Sequence, residues 1–161
     1  NPTSARMILL ENDVAVQDFG YRGECGLSED EVKKAVSLAL RSEGWEVETS
    51  FGHSHGIDID ARRSREHLVV EAKGEGSLNP MRVNYFLGAL GELVQRMESP
   101  DSCYGLALPA HRQFVGLVMR LPAWARTRLG LCFLLVRPGS QGGYDVGFLP
   151  PQSTSPTSKQ S

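Results

Sequence analysis

The stretch GIDIDARRSREHLVVEAKGEG, residues 56–76, decides the fold. It reads as two β-strands, IDIDA and HLVVEAK, joined by the charged connection RRSRE. Yet it carries Asp58, Asp60, Glu71 and Lys73, residue types that are depleted in strands. Side chains alternate between the two faces of a strand. Asp58 and Asp60 are therefore expected on one face, with Ile57, Ile59 and Ala61 on the other. On the second strand Val69, Glu71 and Lys73 share a face, opposite Leu68, Val70 and Ala72. If the strands pair as neighbours, the aliphatic sets dock on helices and Asp58, Glu71 and Lys73 converge. Two carboxylates about 5 Å apart repel by about 3 kcal/mol at an effective dielectric of about 20. One lysine offsets part of this, and protonation of one acid or a divalent cation can relieve the rest. The donors are hard oxygens with no thiolate or histidine set, which selects Mg²⁺ or Mn²⁺ over Zn²⁺. The plainer alternative is a solvated sheet face with a cross-strand Lys–carboxylate pair worth at most about 1 kcal/mol. The surplus of acids and the flanking glycines fit it poorly.

Working outward, LSEDEVKKAVSLALRSEGW (27–45) predicts a helix. Ser28 and Glu31 form a capping box, and Leu27 and Val32 a hydrophobic staple. Val32, Ala35, Val36, Ala39 and Leu40 make its apolar stripe, and Gly44 fits just past its end. In WEVETSF (45–51) apolar and polar residues alternate, as in a strand with one buried face. LNPMRVNYFLGALGELVQRM (78–97) predicts a second helix, with Asn79 as cap and Pro80 in its first turn. CYGLALP (103–109) and LCFLLV (131–136) read as strands buried on both faces. HRQFVGLVMRL and WARTRL are further helices, the latter stopped by Gly130, and YDVGF (144–148) is read as an edge strand. Residues 1–24 are expected to form an arm or short strand, 25–149 an α/β domain, and 150–161 a disordered tail. The early strands have short connections and are expected to be antiparallel; the later ones alternate with helices and are expected to be parallel neighbours.

The chain has 161 residues, 40% hydrophobic and 22% charged, which suits one globular domain and excludes a disordered chain. No apolar run reaches the roughly 20 residues of a membrane span, so no membrane association is expected. No basic start precedes an apolar run, so no secretory signal is read. Cys25, Cys103 and Cys132 include no CxxC pair and read as buried or semi-buried thiols of a reducing compartment, which gives a cytoplasmic expectation. The net charge is −2, split as 15 acids against 9 bases in residues 1–75 and 4 against 8 in residues 76–161. That pattern excludes a broadly basic nucleic-acid binder, but it leaves a second surface on which a phosphate backbone can lie.

GID (Gly56–Asp58), a short hairpin and an aliphatic strand ending in EAK (Glu71–Lys73) together resemble the PD-(D/E)XK nuclease superfamily. The likeness spans about residues 28–136. It implies an α/β fold: a restriction-endonuclease-like mixed β-sheet flanked by helices, an αβββαβ core with an additional helix and strand. It implies a metal-dependent endonuclease that hydrolyses phosphodiester bonds in nucleic acid, with DNA as the partner, in restriction, repair, recombination or defence. Asp58 and Glu71 would hold Mg²⁺ (or Mn²⁺) with the backbone carbonyl of Ala72, and Lys73 would orient the attacking water. A helix glutamate is added in some relatives; Glu31 is the candidate, with Glu29 behind it, and Glu31 competes with its capping role. Asp60 is extra, either a second cation ligand or the salt-bridge partner of an arginine. Gln95 on the second long helix can face the cleft. His53, His55, Arg62, Arg63 and Arg112 are the candidate phosphate contacts. Ile57 stands where the pattern has proline. Double-strand cutting would favour a homodimer. The alternatives are a non-catalytic DNA-binding or assembly module on the same fold, and the effector domain of a larger defence protein. Two weaker signals fail: HSHGID lacks the Asp and His of an HxHxDH site, and KGEGS lacks the GK[ST] of a phosphate loop.

Overall fold

The computed structural model describes residues 4–23, 26–52, 56–76 and 79–151, the side chain of Asn79 excepted. Its seven strands are β1 (Ala5–Leu9), β2 (Glu46–Thr49), β3 (Ile59–Arg63), β4 (Glu66–Ala72), β5 (Cys103–Pro109), β6 (Leu131–Pro138) and β7 (Tyr144–Leu149). Its five helices are α1 (Asp13–Phe19), α2 (Glu29–Ser42), α3 (Asn79–Gln95), α4 (Arg112–Met119) and α5 (Ala123–Leu129). The strands form one mixed sheet in the order β1-β7-β6-β5-β4-β3-β2. The β2–β3 and β3–β4 pairs are antiparallel, and β4–β5 and β5–β6 are parallel, as the connection lengths predict.

Two cores lie on the two sides of this sheet. On one side Val32, Ala35, Val36, Ala39 and Leu40 of α2 pack on Ile59, Ala61, Leu68, Val70, Ala72 and Leu134. On the other, Phe86, Ala89 and Leu93 of α3, with α1 and α4, cover Val69, Leu106, Leu108, Phe133 and Leu135. The strands β5 and β6 are the central ones and are buried on both faces, which is why their sequences are continuous apolar runs.

The sequence reading is revised in three places. β7 is not an edge strand: β1 pairs with it in parallel, Met7 opposite Val146, and takes the edge instead. Residues 13–19 form a helix, α1, with Val16 and Phe19 in the core. And β3 begins at Ile59, so Asp58 lies in the bend before it rather than in the strand. Asp58 leaves the strand because its carboxylate replaces a ladder partner: Asp58 Oδ2 accepts the Ala72 N–H at 2.9 Å. The tail beyond residue 151, Cys25, His53 and His55 lie outside the described residues. Among the described residues no helix is long and apolar enough to cross a membrane.

Candidate active site

The site gathers where the C-terminal end of β4 meets the N-terminal end of α2. The capping box sets the helix start: Ser28 Oγ accepts the Glu31 N–H at 3.1 Å and donates to Glu31 Oε1 at 3.2 Å. Residues 73–76 then run past that start. A Cβ on Gly74 would stand 2.7 Å from the Glu29 nitrogen, so only glycine allows the approach. Glu75 fastens the segment. Its N–H donates to the Leu27 carbonyl at 2.9 Å, and its Oε2 accepts the Leu27 N–H at 3.2 Å. The Tyr21 hydroxyl donates to its other oxygen at 3.3 Å.

Four ionisable side chains follow one another here. Asp58 Oδ1 is 3.3 Å from Lys33 Nζ, Lys33 Nζ is 3.5 Å from Glu29 Oε2, and Glu29 Oε1 is 3.8 Å from Lys73 Nζ. Lys33 is buried, with only 1% of its side chain exposed. Glu71 is also buried, and the Arg96 guanidinium reaches it from the end of α3. Burial first, then the charge and hydrogen bond of Asp58, raise the Glu71 carboxyl to about 7; Arg96 pulls the other way without cancelling this. Arg96 also donates to the Gly56 carbonyl at 2.9 Å, which holds the GID segment against α3.

The sequence-predicted residues divide accordingly. Asp58, Glu71 and Lys73 are brought to one end of the sheet, but among the described residues no ion pair joins Lys73 to either acid; it reaches Asp58 through Glu29 and Lys33. Strand alternation alone would have put Lys73 beside Glu71. The strand ends at Ala72, however, and Lys73 turns towards α2. Glu31 is engaged in its cap, and Glu29 is the helix glutamate that faces the site. Asp60 pairs with an arginine, as expected, and also with a histidine: its Oδ1 lies 4.0 Å from Arg62 Nε and 2.8 Å from His67 Nε2, whose Nδ1 is 2.8 Å from Ser102 Oγ. Gln95 lines a cleft of about 300 Å³ with Ile57, Glu92, Arg96 and Glu98, and Arg96 is the lining residue that also meets Glu71. Arg62 and Arg63 stand at the far end of β3, where Arg63 bonds Glu66 at 3.0 Å and stacks on Trp45 at 4.6 Å. Arg112 begins α4 and is exposed. Cys132 is a buried free thiol and Cys103 an exposed one.

Lys33, Arg96 and Glu75 were missed by sequence reasoning. Lys33 carries a partial signal, since it is four residues after Glu29 and sits among the apolar residues Val32, Ala35 and Val36. A larger, mainly apolar cavity of about 580 Å³ lies by the C-terminal end of α2, lined by Leu40, Trp45, Leu68, Cys103 and Cys132. Neither Asp58 nor Glu71 lines it.

Among the described residues no group of three or more His, Cys, Asp or Glu is placed to hold a metal ion. The fit to a hard divalent cation rests on two carboxylates and a carbonyl. Burial, with the Asp58 charge beside it, holds the Glu71 carboxyl at about 7, well above the ordinary carboxylate range. The Ala72 N–H points at Asp58, and its carbonyl points to the same side of the strand. This all-oxygen set suits Mg²⁺ or Mn²⁺, which keep several waters and need one or two carboxylates. Binding there requires Arg96 to yield its place on Glu71. The chain has no match among family models, curated proteins or solved structures.

Proposed function

We propose that the chain is a Mg²⁺-dependent nuclease that hydrolyses phosphodiester bonds, with DNA as substrate, on a restriction-endonuclease-like core. The observation that carries this reading is the Asp58 carboxylate seated on the Ala72 N–H at 2.9 Å, next in sequence to the buried Glu71 at a sheet end, with Lys73 two residues on from Glu71. The order α2-β2-β3-β4-α3-β5 is the helix, three strands, helix and strand that the family resemblance implies, and it supports the reading by analogy. Asp58, Glu71 and the Ala72 carbonyl would hold the ion. When bound, the ion supplies charge neutralisation and Lewis acidity at the scissile phosphate. Lys73, about a quarter exposed, presents its ammonium at the rim, where it can bond a phosphate oxygen and orient the attacking water. Lys33 holds Asp58, and Gly74 keeps the α2 start close enough for Glu29 to hold Lys73. Gln95 and Arg96 line the adjoining cleft, where a phosphodiester can contact them.

One observation favours a second reading, a nucleic-acid-binding module without turnover. Lys33 and Arg96 already neutralise Asp58 and Glu71 with protein cations. The two readings separate on incubation with supercoiled, linear, branched and single-stranded substrates, with and without Mg²⁺. Mg²⁺-dependent cleavage that disappears in Asp58→Ala and Lys73→Ala, both still folded, supports the nuclease. Binding without cleavage in either Mg²⁺ or Mn²⁺ supports the module.

A further inference from the structure

Arg126, in the middle of α5, is only 3% exposed, and its Nε and Nη1 meet no hydrogen-bond acceptor among the described residues. A guanidinium taken out of water without partners destabilises the fold that holds it. It lines a small pocket of about 70 Å³ whose other walls are aliphatic, among them Leu90 and Val94 of α3, Leu121, and Ala125 and Leu129 of α5. The neighbouring chain offers no counter-ion: residues 102–144 include Arg112, Arg120, Arg126, Arg128 and Arg137 but neither Asp nor Glu. The rim is apolar and open. Val94 and Leu129 are 45% and 41% exposed, and Leu87, on the same face of α3 as Leu90, is 58% exposed. On the flank of α5, Trp124 is exposed and the Arg128 guanidinium lies 5.5 Å from its ring. Protein partners anchor on such groups, an open aliphatic row beside Trp and Arg.

We propose that this pocket is a docking site for a partner protein that seats an Asp or Glu side chain on Arg126 and lays apolar neighbours over Leu87, Val94 and Leu129. The site goes beyond the nuclease reading and does not depend on it: neither Asp58 nor Glu71 lines the pocket. Charge complementarity sets the occupant. A carboxylate matches the planar guanidinium fork, and pairing on docking relieves the charge that the free chain leaves unpaired. Size points the same way. The pocket is far smaller than the roughly 300–1,000 Å³ of a small-molecule site, and it suits the end of one side chain presented by a larger body. A nucleic-acid backbone fits less well, since its adjoining phosphates would be pressed on the aliphatic rim, where nothing replaces their water.

The test selects short random peptides displayed on phage against the full chain and measures the selected peptides by fluorescence anisotropy. They are expected to carry an Asp or Glu between apolar residues. Replacing that acid by its amide is expected to weaken binding to the wild type at least about tenfold, and so are Arg126→Met and Val94→Lys in the chain. Arg41→Gln on α2, across the sheet, is expected to bind as the wild type does. Thermal melting gives a second readout. Without a partner, Arg126→Met is expected to melt about 3 °C above the wild type, because a buried unpaired charge is gone. An Arg126→Met chain that melts lower or does not fold makes Arg126 a structural residue and overturns the proposal. The amide peptides and Val94→Lys, an exposed position, test it without touching Arg126. Peptides that lack an acid, or that bind equally well as amides, overturn it. Two other occupants would also do so: short single-stranded DNA whose binding is lost in Arg126→Met while no peptide binds, and a dimer of the wild type, seen by ultracentrifugation, that Arg126→Met dissociates.

Discussion

The two ends of the β3–β4 pair carry similar side chains in opposite conditions. At the upstream end Asp60, His67 and Ser102 form a chain of two hydrogen bonds of 2.8 Å each, partly buried and mutually satisfied. At the downstream end Asp58 and Glu71 press two carboxylates together, and burial drives one of them to about 7. Polar residues on a sheet face do not by themselves mark a site. The upstream group resolves its charges locally, whereas the downstream group imports Lys33 from α2 and Arg96 from α3 and still leaves Glu71 perturbed. The difference directs attention to the downstream end.

The largest effects should separate the two ends by activity. Asp58→Ala and Glu71→Ala are expected to lower the initial rate of plasmid nicking at least about 10³-fold, equivalent to about 4 kcal/mol of transition-state stabilisation. Asp60→Ala and His67→Ala are expected to stay within about tenfold of wild type. Equal losses at both ends would break the comparison.

The next effect is one of pH. The folded Glu71 carboxyl, at about 7, lies above its ordinary value of 4.5. The folded state therefore binds the proton more tightly than the unfolded chain. Its contribution to stability is complete below pH about 4.5 and is lost as pH rises through about 7. The window corresponds to a loss on the order of 3 kcal/mol without metal. Urea denaturation from pH 4 to pH 8 should show this slope in the wild type, and Glu71→Gln should flatten it. A Glu71→Gln slope equal to that of the wild type would contradict the cause assigned to it.

Smaller changes sharpen the contrast. Ser102→Ala removes one partner of the His67 hydrogen bond and should cost about 1 kcal/mol in denaturation without altering the slope set by Glu71. Ser28→Ala, which removes the α2 cap, should cost about 1 kcal/mol as well. The smallest expected effect on cleavage is that of Glu31→Gln, which retains a capping side chain; Glu29→Gln, which loosens Lys73 and Lys33, should be the more damaging of the two. Initial rates for the two variants decide it.

Much of the fold was legible because local signals agreed with long-range packing. The capping box at Ser28 and Glu31, the stripe on α2 and the unbroken apolar runs of β5 and β6 all correspond to what their neighbours require. α1 was not legible: only Val16 and Phe19 anchor it in the core, and Val14 is 66% exposed, so no helical period stands out over seven residues. The interior place of β7 depends on β1, which lies far away in sequence. At the site the short motif pointed to Asp58, Glu71 and Lys73, which lie at one end of the sheet although Asp58 stands before β3 and Lys73 beyond β4. Their counter-ions come from other elements, Lys33 25 residues before Asp58 and Arg96 25 residues after Glu71, and no local pattern encodes such pairings. The turn of Lys73 towards Glu29 likewise follows from where β4 ends and from the bare backbone of Gly74.

The central claim is that Asp58 and Glu71 share one divalent cation. Crystals grown with Mn²⁺ at pH 8 and measured for anomalous scattering test it most directly. The account predicts a peak about 2.2 Å from a carboxylate oxygen of each residue, with the Arg96 guanidinium withdrawn from Glu71. A structure at saturating Mn²⁺ with no peak there, and with Arg96 still on Glu71, would contradict it.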